Sequence, residues 1–415
     1  MTTRRHRYES LVSVGSSAAI YALAFVTGPL LAQSLGASGR GNLAAVLVPT
    51  QLLGWALTLG LPIASGYHSK RVEPSRLISS SWVLALAVGA PISAVVWVLA
   101  PSYLADYAPV TVLWLRIGLV LGLVLTPMFT GLEILRAQQG AGLRFNLLRT
   151  IGPVLNLVSL VVLALLDRLT LETALASALI SNFSNALLVI VVLKLWPRRR
   201  FQRVVARLQL RYGLRSALGD VSGLLVARLD QLLMVGLVSS RSLGLYVVAV
   251  TAATVSTPLA QGLAAALFPH LLHAEPGQQE AQLRRTLGWT AAMTVLTTVA
   301  LALAAPFLLP WAFGEAFRDA LPALWLLLPG QVCLNLSTVR SAALQALGRP
   351  GWASIASVTS ASVTVVGVVP AVSLMGIEGA AILTSVSQAS QLAVLLFVGK
   401  RARAQATGDL TTTVT

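Results

Sequence analysis

Runs of about twenty apolar residues, separated by short polar gaps, recur along the whole chain at 11–32, 43–66, 79–100, 112–135, 147–166 and 174–195. They continue at 217–238, 244–268, 287–309, 321–344, 352–373 and 379–398. A helix rises about 1.5 Å per residue, so each run is long enough to cross the hydrocarbon core of a bilayer. The pattern predicts an all-α, polytopic membrane protein with about 12 transmembrane helices. The two runs after Trp352 are the most dilute, because Ser357, Thr359, Ser360, Ser362 and Thr364 interrupt them. The first run follows Arg4, Arg5 and Arg7 as a signal peptide would. It is too long for the apolar region of one and no cleavage site follows, so it reads as the first membrane helix.

Composition strengthens this picture. Apolar residues make up 56% of 415, charged residues only 11%, and the mean hydropathy is +0.79. A water-soluble protein with so little charge would lack the polar groups to cover its surface. The positive charges fall in alternate gaps. One side holds 23 Lys and Arg, the other only Arg40, Arg168, Arg241 and Arg318. By the positive-inside rule both termini are expected in the cytoplasm of a bacterial inner membrane. The net charge of +16 is then a topology signal with some attraction to anionic lipids, and no nucleic acid partner is needed to explain it.

The polar stretch around residues 196–216 divides the runs into two sets of six. The expected organisation is an N-terminal six-helix lobe (1–195), a basic cytoplasmic amphipathic linker (196–216), a C-terminal six-helix lobe (217–398) and a cytoplasmic tail (399–415). Six crossings return the chain to its starting side, so the lobes would form a parallel repeat about a pseudo-twofold axis. Gly41-Asn-Leu at the start of the second run and Gly244-Leu-Tyr at the start of the eighth match as short traces of that repeat. In the linker, Arg199, Arg203, Arg207, Arg211 and Arg215 recur every four residues, with Phe201, Val204, Val205 and Leu208 at helical spacing beside them. A basic amphipathic helix lying on the inner membrane surface fits this spacing, either as an anchor between the lobes or as a lipid-facing dock for an anionic substrate.

Charge within a span costs roughly 2.5–3.5 kcal/mol on insertion scales, which marks each such residue for scrutiny. Arg228 lies about 16 Å and Asp230 about 20 Å along the seventh helix from its cytoplasmic end, whereas Arg116 lies about 6 Å below the outer edge of the fourth. Glu133, Asp220 and Arg340 sit nearer the edges. Arg228 is too deep to snorkel and is expected in a wet interior. Arg340 is the best placed to snorkel. Arg116 and Asp230 read equally as structural partners or as functional groups. Uncharged polar residues such as Gln51, Asn182, Asn185, Gln331 and Asn335 read as interhelical hydrogen-bond formers. The single cysteine, Cys333, excludes an intrachain disulfide. No metal cluster, cofactor fingerprint, hydrolytic triad or ATPase loop is present in the sequence, so no cofactor and no enzymatic reaction are expected.

Three segments carry a family resemblance. Ala32-Gln-Ser-Leu-Gly-Ala-Ser-Gly-Arg-Gly-Asn-Leu-Ala-Ala45, Arg228-Leu-Asp-Gln-Leu-Leu with Leu243-Gly-Leu-Tyr-Val-Val-Ala249, and Leu344-Gln-Ala-Leu-Gly-Arg-Pro350 resemble bacterial polysaccharide flippases. These are the O-antigen translocase type of the multidrug/oligosaccharidyl-lipid/polysaccharide exporter superfamily. The resemblance implies a central cavity opening alternately to each side, and movement of undecaprenyl-diphosphate-linked oligosaccharide from the inner to the outer leaflet. It makes Arg116, Arg228 and Arg340 candidates to bind the diphosphate and Asp230 a candidate for a coupling proton or cation. Polysaccharide polymerases and glycosyltransferases would be partners. A drug/cation antiporter of the same superfamily is the alternative, but it would normally carry a carboxylate in the first helix, and 11–32 has none. A non-transporting assembly protein is the other alternative.

Overall fold

The structure is a computed structural model. It describes the backbone of residues 2–140, 142–273, 276–347 and 350–412, and the side chains of 12, 15–20, 22–140, 142–214, 228–267, 271, 278–347 and 351–398. The side chains of Arg4, Arg5, His6, Arg7, Arg215, Asp220, His270, His273, Arg349, Lys400, Arg401 and Arg403 lie outside the described residues.

Helices account for nearly all of the described chain, and no strand occurs among the described residues. In order they are α1 (Thr2–Ala56), α2 (Leu61–His68), α3 (Pro74–Leu84), α4 (Ala90–Tyr103), α5 (Pro109–Gly122), α6 (Leu125–Gln139) and α7 (Leu143–Leu165). There follow α8 (Leu171–Val192), α9 (Arg203–Val235), α10 (Ser240–Ala253), α11 (Thr257–His273), α12 (Pro276–Phe313), α13 (Leu321–Ala346) and α14 (Pro350–Thr412). Local sequence explains many of the starts. Proline occupies the first turn of α2, α3, α5 and α13, where its missing N–H costs nothing. Thr170 and Thr173 cap α8 reciprocally.

Among the described residues, eight helical stretches are long and apolar enough to cross a membrane, or nine if the bent pair α5–α6 is one span. Two of these, 15–68 and 351–398, contain glycines in non-helical conformation, Gly36 and Gly376, at which two helices join across a kink. Grouping by length therefore does not fix the count of twelve. The outer faces carry exposed Val98, Leu165, Phe307 and Val366, as suits side chains solvated by lipid.

Interruptions inside the expected spans are local and have visible causes. The second run breaks at 57–60, where Leu59 and Gly60 take left-handed φ values of 50° and 67°. A Cβ on Gly60 would overlap the Gly213 carbonyl oxygen, and one on Gly213 would lie 2.6 Å from that of Leu59. Helix α9 thus presses backbone to backbone against the break. The fourth run bends by 41° between α5 and α6, and a π-helical turn at Ala85–Gly89 separates α3 from α4.

The chain divides into two compact units. The first comprises Met1–Leu224, Gln231–Val248 and Pro310–Phe317; the second comprises Leu225–Asp230, Ala249–Leu309 and Arg318–Thr415. In the first, Leu77, Met128, Leu132, Phe145, Leu148 and Val189 from α3, α6, α7 and α8 form a buried cluster. In the second, Leu267 and Leu271 of α11 pack on Val339 and Ala343 of α13. The two repeat traces meet within the first unit. A Cβ on Gly41 would overlap the Ser240 carbonyl oxygen, and a Cβ on Gly244 would overlap that of Ala37. Each glycine touches the residue four before the other, a reciprocal contact of the kind a local twofold generates.

Candidate functional site

Three cavities lie in a row within the first unit. The most open of the three, about 520 Å³, is lined by Ile63, Gly66, Tyr67, Lys70, Arg71, Glu133, Arg136 and Ala137. It shares Ile63 and Glu133 with a second of about 250 Å³, whose walls include Trp55, Phe129, Leu132, Phe145 and Arg149. The second shares Trp55 and Phe129 with a third of about 270 Å³, bordered by Thr50, Gln51, Asn182 and Phe183. Charge falls along the row: the first cavity has four charged side chains on its wall, the second has Glu133 and Arg149 among aromatic and aliphatic groups, and the third has none, with Gln51 and Asn182 among apolar ones.

Helix packing positions the rim. Gly66 lets α2 approach α6 closely, since a Cβ there would lie 3.2 Å from the Glu133 carbonyl oxygen. Arg136 donates to Glu133 at 2.8 Å, so those two charges largely offset each other. Lys70 and Arg71 follow the end of α2, are exposed, and make no ion pair among the described residues. Tyr67 forms one wall and stacks on Tyr212 of α9, with ring centroids 4.4 Å apart and planes 14° apart. In the chamber, the Arg149 guanidinium lies 6.0 Å from the Phe145 ring and donates to Ser17 at 2.7 Å.

The residues singled out in the sequence have varied surroundings. Arg116, in the first unit, donates through Nε and Nη2 to the Trp97 carbonyl, both at 3.2 Å, and its guanidinium lies 5.1 Å from the Trp97 ring centroid. The others belong to the second unit. Arg340 is buried rather than snorkelling and donates through Nε to the Leu395 carbonyl at 2.9 Å. Asp230 is buried and accepts from Thr384 at 3.2 Å. Arg228 is half-buried and feels the charge of Asp230.

The basic segment runs into a long helix. From Arg203 onward it is the beginning of the 33-residue helix α9. Val205, Ala206 and Gln209 turn inward, and Gln209 Nε2 donates toward Ser65 (2.7 Å), the Leu77 carbonyl (3.1 Å) and Ser81 (3.2 Å). Arg203, Val204, Arg207, Leu208 and Arg211 occupy the opposite, exposed face. Arg199 is exposed and pairs with Glu73 at 3.5 Å. Glu73 also receives the Ser75 hydroxyl and a contact from Arg76; the hydroxyl above all, then the two guanidinium groups, hold its carboxyl below the ordinary carboxylate range.

Sequence comparison decides the family. The model of the family described as "Polysaccharide biosynthesis protein" matches residues 30–322. The chain belongs to that family. No curated protein sequence matches it. Among solved structures, it is similar to the inward-facing conformation of a multidrug resistance MATE family transporter of the MOP superfamily, with TM-score 0.74 and 17% identity over 93% of this chain and 94% of that one. It is similar to the lipid II flippase MurJ in an inward closed conformation, with TM-score 0.69 and 12% identity over 94% and 87%. A MOP superfamily transporter from Pyrococcus furiosus matches with TM-score 0.57 and 17% identity over 96% and 95%. At these identities the likeness shows the fold: this family member is a multi-helix membrane protein with a two-lobed fold like that of those structures.

Lys70, Arg71, Trp55 and Arg149 escaped the sequence reading. The first two read as topology charges, which a positively lined rim imitates. Arg149 read as an edge residue because the fifth run was begun at 147, whereas α7 begins at Leu143 and carries Arg149 about 9 Å inward. Gln51 and Asn182 were noticed, and both border the third cavity.

Proposed function

We propose that this polysaccharide biosynthesis protein flips undecaprenyl-diphosphate-linked oligosaccharide from the inner to the outer leaflet of a bacterial inner membrane, by alternating access driven by a proton or cation gradient. The observation that carries the reading is the row of cavities with an unpaired basic rim, found in a chain of this family. A diphosphate favours charge-assisted hydrogen bonds from Lys and Arg, whereas a cationic drug would be repelled by that rim. The flippase reading also accords with the MurJ likeness. The drug-antiporter alternative draws on the MATE likeness, but the run 11–32 has no carboxylate to couple the exchange.

In this reading Arg228 contacts the diphosphate during passage, with Arg116 and Arg340 as further candidates once freed from their carbonyl partners. Asp230, held by Thr384, takes the coupling ion. The exposed arginines of α9, with Arg199, face anionic lipid on the cytoplasmic side, where both termini also lie. Glycosyltransferases supply the cargo and a polymerase receives it. Deleting the gene tests the proposal: lipid-linked oligosaccharide should accumulate on the inner leaflet, and surface glycan should disappear. Unchanged glycan with no accumulation would refute it.

A further inference from the structure

We propose that the most open pocket, with Lys70 and Arg71 on its rim, is a docking site for a prenyl diphosphate, separate from the transmembrane arginines and occupied before the cargo crosses. The inference rests on the flippase reading for its choice of lipid.

Among the cations that line the three cavities, two are already engaged: Arg136 is matched by Glu133 and Arg149 is bonded to Ser17. Lys70 and Arg71 are adjacent, exposed and uncompensated beside a void of about 520 Å³. Two cations with open donors suit a group carrying two linked phosphates. The rim is also shaped in advance. Tyr67 is stacked on Tyr212, and Gly66 fixes the α2–α6 approach, so little ordering is needed on binding.

The chamber behind the rim selects the lipid form over free phosphate. Arg149 and Glu133 border it, but most of its wall is apolar, with Trp55, Phe129, Leu132 and Phe145, and that wall favours an isoprenoid stem by burying it from water. Tyr212 directly follows Arg211 on α9 and stacks on the pocket wall, so the basic helix and the pocket adjoin. A polyprenyl diphosphate drawn to the arginine face would meet the pocket without leaving the membrane boundary.

The test uses the full chain in zwitterionic nanodiscs with three probes: farnesyl diphosphate, inorganic pyrophosphate and farnesol. Farnesyl diphosphate should bind, and the double variant Lys70→Ala/Arg71→Ala should weaken it by about tenfold or more. Arg168→Ala, an exposed cation that borders none of the three cavities, should leave this binding intact. Pyrophosphate should compete weakly, and farnesol should not compete. Equal binding of pyrophosphate and farnesyl diphosphate would overturn the lipid assignment. Undiminished binding by the double variant, with its melting temperature and elution unchanged, would overturn the pocket. Milder Lys70→Gln and Arg71→Gln single variants serve if the double variant does not fold, and they should each weaken binding; binding unaltered in both counts against the pocket. These results are independent of the deletion experiment, which alone decides whether the protein is a flippase.

Discussion

Polar side chains within apolar helices do opposite jobs in two regions of this molecule. In the first unit Thr50, Gln51, Asn182 and Arg149 border voids. Along α13 and α14 of the second unit they are spent on one another. Ser360 and Ser387 are 2.7 Å apart, Thr364 donates to Ser387 at 2.9 Å, Gln391 donates to Ser357 at 3.2 Å, and Arg340 donates to a carbonyl of α14. A run of Ser, Thr, Gln and Arg in a membrane helix therefore does not identify a pathway; what the side chain faces decides. Where partners stand across the helix pair, the polar group is structural glue. Where the facing helices leave a gap, the same group is available to a ligand.

The sharpest way to break the comparison is at Arg340. Replacing it with Met keeps the length and removes the charged donor that reaches the Leu395 carbonyl of α14. A charged hydrogen bond lost this way costs about 2–3 kcal/mol. Arg340→Met should therefore lower the melting temperature of the purified protein clearly. Loss of transport with an unaltered melting temperature would mean that Arg340 serves the cargo and that the α13–α14 seam is not purely structural.

A gentler probe comes from the hollow side. Gln51 is exposed and borders the third cavity. Gln51→Leu should change stability by no more than about 0.5 kcal/mol, as for substitutions away from packed features, while reducing glycan export in cells. A melting temperature as depressed as that of Arg340→Met would show that this cavity is closed by hydrogen bonding and erase the contrast between the regions.

This contrast was only partly legible in the sequence. The all-α membrane architecture was plain because twenty-residue apolar runs report the thickness of the bilayer itself. The breaks were not. The interruption at 57–60 depends on Gly60 meeting Gly213, a contact between segments about 150 residues apart that no local pattern encodes. Depth along a helix was readable from the rise per residue, but direction was not, so Arg340 could be placed at an edge without showing that it turns inward to Leu395. Lys70 and Arg71 posed the opposite difficulty. A basic residue beside a cytoplasmic helix end looks the same whether it sets topology or rims a pocket, and only the void beside α6 distinguishes the two.

The smallest expected effect concerns the counter-charge near that rim. Glu73 lies outside the spans, shortly after Arg71, and engages Ser75, Arg76 and Arg199. Because its carboxyl titrates below the ordinary range when folded, its contribution is present above that range and is lost as the pH falls through the folded value. The groups are well exposed, so solvent screens the pairing and the gain is slight. Melting curves of the parent and Glu73→Gln should thus differ a little at neutral pH and converge on acidification. Removing this carboxylate also frees Arg76 and Arg199 beside a rim that already carries two open cations. Glu73→Gln should then bind farnesyl diphosphate at least as tightly as the parent at neutral pH, and more so at low ionic strength. Weaker binding would mean that Glu73 acts by shaping the loop, and the rim would owe its affinity to geometry more than to uncompensated charge.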